Sequence, residues 1–147
     1  MSARSFADFL RTALDALERE APAAHSLLCG RLFRLRIEAR VGSEHVTIHG
    51  DRERLRIESG THAPPDRLFS RVELHTDRDT ILGLVDGECT LLDAVLEDRL
   101  MMRGASRELQ ALYDGLLAFV HGGLRAASFP GILDAYRRAG DAREEAA

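Results

Sequence analysis

The spacing of apolar residues near the start of the chain predicts an amphipathic helix. From Ser5 to Glu20 they recur every three or four positions, which places them along one side of a helix. Ser5 is a suitable N-cap, and Pro22 cannot continue the helix because its ring removes a backbone donor. A short helical segment is predicted next, over residues 23–29.

The pattern then changes to alternation, which is typical of strands with one buried and one wet face. A first strand is predicted from Leu32 to Val41, with apolar residues at its odd positions, followed by strands at 45–49, 54–58 and 71–75. The connections are short, so strands two to four are expected to form an antiparallel meander, with a loop around Pro64-Pro65. The residues expected to face the helices are Phe33, Leu35, Ile37, Val46, Ile48, Leu55, Ile57, Val72 and Leu74.

Helices dominate the second half of the chain. The predicted elements are a helix at 76–86, a helix at 90–97, a strand at 99–103 and helices at 106–121 and 124–139. Thr76 and Asp79 have the spacing of a capping box, and Gly87 is expected to end that helix. Gly122-Gly123 is expected to end the long helix, and the tail from Gly140 is expected to fray.

This order predicts an α+β fold, with a five-stranded, mostly antiparallel sheet that has one face covered by helices and the other face polar. The 147 residues fit one domain at 1–123, followed by a C-terminal helical extension and tail at 124–147. The sequence has no apolar run long enough to span a bilayer and no secretory signal, so we expect a cytoplasmic protein. The net charge of −4 disfavours nucleic-acid binding.

Residues suited to catalysis are scarce. All 20 basic residues are arginine, which excludes a Schiff-base lysine and a P-loop. His45 and His49 have a helical ligand spacing but lie on a predicted strand, about 13 Å apart, too far to share one zinc ion. Cys29 and Cys89 form no motif, and Cys89 has no basic neighbour that would activate it. We therefore expect no catalytic residue, no metal and no cofactor.

The segment from Ile81 to Leu96 is almost wholly apolar but is interrupted by glycines, and the flexible Met101-Met102 follows it. Adaptable apolar residues around short helices suit a cavity that opens for an apolar ligand, and a tight core is the alternative. The stretch from Val72 to Gly87, with its Thr76-Asp77-x-Asp79 helix start, resembles the core of the sterol carrier protein type-two (SCP2) domain. A second apolar helix and the strand before Gly104 follow in the same order.

The resemblance covers residues 5–121. It implies an apolar tunnel between sheet and helices that binds sterols, fatty acyl chains or other lipids without catalysis. Strand parity and helix period predict its lining: Ile37, Val46, Ile48, Leu55, Ile57, Leu82, Val85, Leu92, Val95, Leu96, Met102, Leu112, Leu116 and Val120. Arg78 and Asp86 are candidates for orienting a head group, or else are solvated helix-end charges.

Carriage of a hydrophobic ligand is the leading hypothesis for function. The alternative is an accessory protein that holds an isoprenoid-quinone or polyketide intermediate for partner enzymes. An enzyme fragment and a purely structural role are less favoured.

The outer face of the predicted sheet offers a second interaction surface. Its basic residues are Arg34, Arg36, Arg40, Arg54, Arg56, Arg71, Arg99 and Arg103, accompanied by Glu38, Glu58, Glu73, His45, His49 and His75. They could form cross-strand ion pairs, or dock on an anionic membrane or an acidic protein. A homodimer that covers this face is also left open.

Overall fold

The structure is a computed structural model that describes residues 5–60 and 67–146. The predicted loop at Pro64-Pro65 lies outside the described residues. The helices are α1 Phe6–Glu20, α2 Pro22–Arg31, α3 Arg78–Asp86, α4 Leu91–Leu96, α5 Ser106–Arg125 and α6 Phe129–Ala146. The strands are β1 Leu35–Val41, β2 Glu44–Gly50, β3 Leu55–Ser59, β4 Ser70–Thr76 and β5 Met101–Arg103. This confirms the α+β class and the five-stranded sheet.

The sheet is mixed, with the strand order β3-β2-β1-β4-β5. Three of its four strand pairs are antiparallel, but β4 runs parallel to β1. The predicted meander of strands two to four is therefore wrong at β4, which pairs with β1 and β5 and not with β3. Residues 60–69 form a connection of ten residues between β3 and β4. At about 3.3 Å per residue it has the reach to pass two strands spaced about 4.8 Å apart.

The alternation in the sequence correctly identifies the inner face of the sheet. Ile37 pairs with Ile48 on one side and Val72 on the other, and all three are buried. Phe33 is the exception, because it lies before β1 and is 38% exposed. Arg34 adopts a left-handed conformation with φ 64°, so the strand alternation begins only after it.

Side-chain caps set the first residues of three described helices, α1, α3 and α4, where the α4 cap is the Thr90 hydroxyl. The Ser5 hydroxyl accepts a hydrogen bond from the Asp8 amide, as predicted for α1. In α3 the cap is Asp77, which accepts from the Thr80 amide, and not the predicted Thr76. The Thr76 hydroxyl instead donates to the Arg99 carbonyl and ties the end of β4 to the segment before β5.

The long helix α5 does not end at Gly122-Gly123 but continues to Arg125. Both glycines are buried, and a Cβ at Gly123 would lie 2.3 Å from the Phe129 ring. They allow close packing and do not stop the helix, so the predicted boundary at residue 123 lies inside α5.

Helix α6 is longer than predicted and is part of the core. It runs to Ala146, whereas fraying was expected from Gly140. Tyr136 is fully buried and stacks on Phe9 of α1 with ring centroids 4.5 Å apart. Within the described chain no single helix is long and apolar enough to cross a bilayer. Among the described residues, only α5 taken together with residues 129–143 is long and apolar enough, and these two segments are bent by 108° relative to each other.

Candidate functional site

An apolar cavity of about 90 Å³ lies between the inner face of the sheet and the helices. Its walls come from α1 to α5, from β1 to β4 and from the segment before β5. The lining residues are Phe6, Phe9, Leu10, Leu14, Leu28, Leu32, Ile37, Ile48, Leu55, Leu74, Thr76, Ile81, Leu84, Val85, Leu91, Leu100, Leu112, Gly115, Leu116, Phe119 and Val120.

The chemistry of this wall is almost uniform. Thr76 contributes the one side-chain hydroxyl among the lining residues of the described chain, and it already donates to the Arg99 carbonyl. The other side chains offer neither a charge nor a hydrogen bond. Such a wall binds hydrocarbon through burial and leaves any polar end of a ligand at the rim.

The structure brings half of the predicted lining residues to this cavity. The residues that line it are Ile37, Ile48, Leu55, Val85, Leu112, Leu116 and Val120. Five others pack in the core without lining the space: Val46, Ile57, Leu82, Val95 and Met102. As ligand contacts, all of these stay predictions.

Leu92 and Leu96 of α4 do not lie at the cavity, because they are 54% and 71% exposed at the surface. Only Leu91 and Ala94 of α4 are buried. Conversely, the predicted lining omitted the α1 residues Phe6 and Phe9. The helical spacing of apolar residues in α1 was the signal that could have included them.

The cavity is small for a lipid ligand. An apolar cavity of about 150 Å³ admits benzene, and pockets for drug-sized ligands are usually about 300–1,000 Å³. At about 90 Å³ the cavity is smaller than either, and no tunnel of lipid size is seen among the described residues. A whole lipid chain would fit only if the elements around this space moved apart.

The two predicted head-group residues connect helices instead of facing the cavity. The Arg78 guanidinium donates to the Tyr136 carbonyl at 2.6 Å and lies 4.0 Å from the centre of the Tyr136 ring. Asp86 accepts from Arg137 of α6 at 3.0 Å. The two residues thus fasten both ends of α3 to α6, and a head-group role stays a prediction.

The buried thiol of Cys29 is not set up as a nucleophile. Its Sγ lies 3.8 Å from Nε2 of His25, one turn earlier on α2. Burial raises the pKa of the Cys29 thiol, and the charge of Glu18 raises it further, so the neutral thiol is favoured. In the described ranges no three His, Cys, Asp or Glu residues are grouped closely enough to hold a metal ion.

On the outer face of the sheet, two arginines on neighbouring strands lie beside two glutamates, and the opposite charges neutralise each other. Arg36 lies within 3.2 Å of Glu38, and the Nε of Arg71 donates to the same carboxylate at 2.7 Å. Arg71 also donates to Glu73 at 2.9 Å. Arg36 is buried despite its charge. Of the two alternatives for this face, cross-strand ion pairs describe Arg36 and Arg71.

His49 belongs to this outer network. It stands beside Arg36 on the neighbouring strand and packs edge-on against the Phe69 ring, with centroids 5.2 Å apart. Burial lowers the pKa of His49, and the charges of Arg56 and Arg36 add to the effect. The neutral imidazole is therefore favoured, and His49 does not add to the positive charge of this face.

Comparison with known proteins gives a consistent result for the fold. No protein-family model and no curated protein matches the chain. Among solved structures, the sterol carrier protein domain 2 of Helicoverpa armigera has a TM-score of 0.53 and 13% identity, covering 77% of this chain and 86% of its own.

Two further structures agree. The one named UbiJ-SCP2 Ubiquinone synthesis protein has a TM-score of 0.52 and 14% identity, covering 74% of this chain and 87% of its own. A conserved hypothetical protein of Thermus thermophilus has a TM-score of 0.51 and 15% identity, covering 86% of this chain and 93% of its own. The resemblance found in the sequence is therefore confirmed for the fold: this chain has an SCP2-like fold.

Proposed function

We propose that this protein binds the hydrocarbon part of a lipid between its sheet and helices, and holds or carries it without a chemical step. The ligand class is a fatty acyl chain, an isoprenoid chain or a sterol. The observation that carries the proposal is the apolar lining of the cavity. Its one side-chain hydroxyl among the described residues, that of Thr76, already donates a hydrogen bond to the Arg99 carbonyl. Sterol carrier structures with the same fold support it.

Burial alone would supply the affinity. Each buried methylene contributes about 0.8 kcal/mol, so about ten of them give roughly 8 kcal/mol before ordering costs are subtracted. That corresponds to micromolar binding at best. A carrier with such an affinity can both take up and release its cargo.

Helix α4 is the element best placed to open the cavity. It makes only sparse contacts with the other elements, yet its Leu91 forms part of the cavity wall. Left-handed residues flank it, Gly87 with φ 86° and Asp98 with φ 59°. Backbone changes at these two positions would let α4 swing outwards as a unit and enlarge the apolar space.

A displacement assay with a fluorescent fatty acid tests the proposal. Leu116→Trp places a larger ring at the cavity wall, and Leu117→Trp makes the same change one residue along α5, outside the lining. We expect about tenfold weaker binding or more for the first variant, equivalent to losing about two buried methylenes. The second variant should bind like the natural protein, and thermal unfolding of both would check that they fold.

Equal binding by both tryptophan variants would contradict a site at this cavity. Failure of the natural protein to bind fatty acid, isoprenoid alcohol or sterol would contradict the proposed function as a whole. Chemical change of the recovered ligand, seen by mass spectrometry, would contradict the absence of catalysis.

A second candidate is an accessory role, in which the same cavity presents an isoprenoid-quinone or polyketide intermediate to partner enzymes. The similar structure named as a ubiquinone synthesis protein favours it, as do the exposed Leu92 and Leu96, which offer an apolar contact surface beside the cavity. Cross-linking in the native host, followed by native mass spectrometry, separates the two candidates. An accessory protein would be recovered with partner enzymes and an isoprenoid or polyketide ligand, and a free carrier with mixed lipids alone.

A further inference from the structure

Three segments meet at the end of the sheet where β1 and β4 begin. They are residues 33–34, residues 52–54 in the turn between β2 and β3, and residues 67–68 just before β4. Together they carry four arginines and two apolar residues, Phe33, Arg34, Arg52, Arg54, Arg67 and Leu68, which we call the basic tip. The Phe33 side chain is 38% exposed and that of Leu68 is 74% exposed.

Two guanidinium groups are held beside the exposed Phe33 ring. The Cζ atom of Arg34 lies 5.2 Å from the ring centre, and that of Arg52 lies 5.9 Å from it. Within the described chain neither arginine takes part in an ion pair. The carboxylate of Asp51 in the same turn is already paired with Arg56 at 2.9 Å, which leaves Glu53 as the other acidic group of the turn.

The backbone fixes this arrangement. Arg34 has φ 64°, a left-handed conformation that is unfavourable for a side chain of this type. Its amide donates to the Gly50 carbonyl at 2.9 Å, and its carbonyl accepts from the Ser70 amide at 2.8 Å. Both neighbouring strands thus hold Arg34 in a strained position, and such strain tends to persist where a site needs it.

The tip adjoins the candidate lipid cavity. Leu32 precedes Phe33 in the chain, Leu55 follows Arg54, and both leucines line the cavity. An exposed aromatic ring, an exposed leucine and unpaired arginines are the combination that anchors proteins at the surface of an anionic bilayer.

We propose that the basic tip docks this protein on anionic phospholipid bilayers, with Arg34 and Arg52 on lipid phosphates and with Phe33 and Leu68 at the level of the head groups. The docking surface is thereby a tip beside the cavity and not the whole outer face, whose Arg36 and Arg71 are paired with glutamates. The docking itself does not depend on the proposed function, because it needs no ligand in the cavity.

Co-sedimentation with vesicles of phosphatidylcholine, alone or mixed with phosphatidylglycerol, tests the proposal. The test variant is Arg34→Asn combined with Arg52→Gln, since asparagine tolerates the left-handed conformation. The matched control is Arg40→Gln combined with Arg99→Gln, which makes the same change in charge at the opposite end of the sheet. If the double variant folds poorly, Arg52→Gln alone and Phe33→Ala alone test the same surface, because neither changes the left-handed Arg34.

We expect binding to mixed vesicles that high salt weakens, and little binding to phosphatidylcholine alone. Each arginine near an anionic leaflet contributes about fivefold, so the double tip variant should bind about 25-fold more weakly and Arg52→Gln about fivefold more weakly. Phe33→Ala should weaken binding about tenfold. The control pair should bind like the natural protein.

Several results would overturn the proposal. One is equal loss of binding in the tip and control variants, because the attraction would then be diffuse. Another is equal binding to neutral and anionic vesicles. A third is vesicle-independent self-association that the tip variant abolishes, which would make the tip a contact between copies. A fourth is copurification with an acidic protein that depends on the basic tip, together with no binding to vesicles.

Discussion

On the inner face of the sheet, Ile37 is 2% exposed and packs among aliphatic side chains. One residue further along β1, on the outer face, Glu38 lies close to the guanidinium groups of Arg36 and Arg71. The inner face is held by burial, which is non-directional and leaves a space that can be reshaped. The outer face is held by directional ion pairs that fix each partner. The difference explains why the candidate ligand site lies under the helices.

The largest effect should come from shortening an inner side chain. Ile37→Ala should lower the free energy of unfolding by about 3 kcal/mol, because it removes buried methyl groups and enlarges the cavity. Arg40→Ala on the outer face of the same strand should change it by less than about 0.5 kcal/mol. Urea denaturation of both variants checks this, and similar losses would show that the two faces do not differ in the way described.

A second prediction concerns Tyr136, which is buried on the helix side. Burial raises the pKa of Tyr136 to about 12, and its hydroxyl has no hydrogen-bond partner within the described residues. Between pH 10 and about 12 the unfolded chain therefore loses a proton that the folded chain keeps, and stability falls as the pH rises.

Tyr136→Phe should remove this alkaline loss, up to about 2 kcal/mol by pH 12, and should be neutral or slightly stabilising at pH 7. Denaturation curves as a function of pH would measure it, with Tyr113→Phe on α5 as the control that leaves the loss in place. An unchanged alkaline loss in Tyr136→Phe would mean that the hydroxyl is solvated.

The smallest effect should separate the two glutamates of the outer network. Glu38→Gln should lower the free energy of unfolding by about 1 kcal/mol, because the side chain of Arg36, its partner, is only 8% exposed. Glu73→Gln should lower it by less than about 0.5 kcal/mol, because Arg71 is 62% exposed. Equal effects, measured by thermal unfolding at low salt, would show that the burial of Arg36 does not matter.

The sequence predicted the faces well because side-chain alternation is a local property of a strand. Leu35, Ile37, Val72 and Leu74 are buried as expected. The prediction from alternation was wrong at Phe33, because the left-handed conformation of Arg34 interrupts the strand there. No pattern in the neighbouring sequence indicates that conformation. It could not place β4 beside β1 either, because strand order depends on contacts between distant segments.

The site was predictable to a similar extent. Periodicity brought Leu112, Leu116 and Val120 to the cavity, since they share one side of α5. Leu92 and Leu96 are equally apolar in sequence, but only the side of α4 that carries Leu91 and Ala94 is covered. The ion pairs of the outer face depend on rotamers and register, which composition alone does not determine.

The central claim is that the apolar space under the helices opens for a lipid chain. Methyl-labelled NMR during titration with a long-chain fatty acid tests it most directly. We expect saturable shifts at the methyl groups of Leu84, Leu112 and Leu116, which line the cavity, together with Leu91 on the inner side of α4. Shifts confined to surface methyl groups such as those of Leu27 and Leu124, or no saturable shift at all, would contradict the claim.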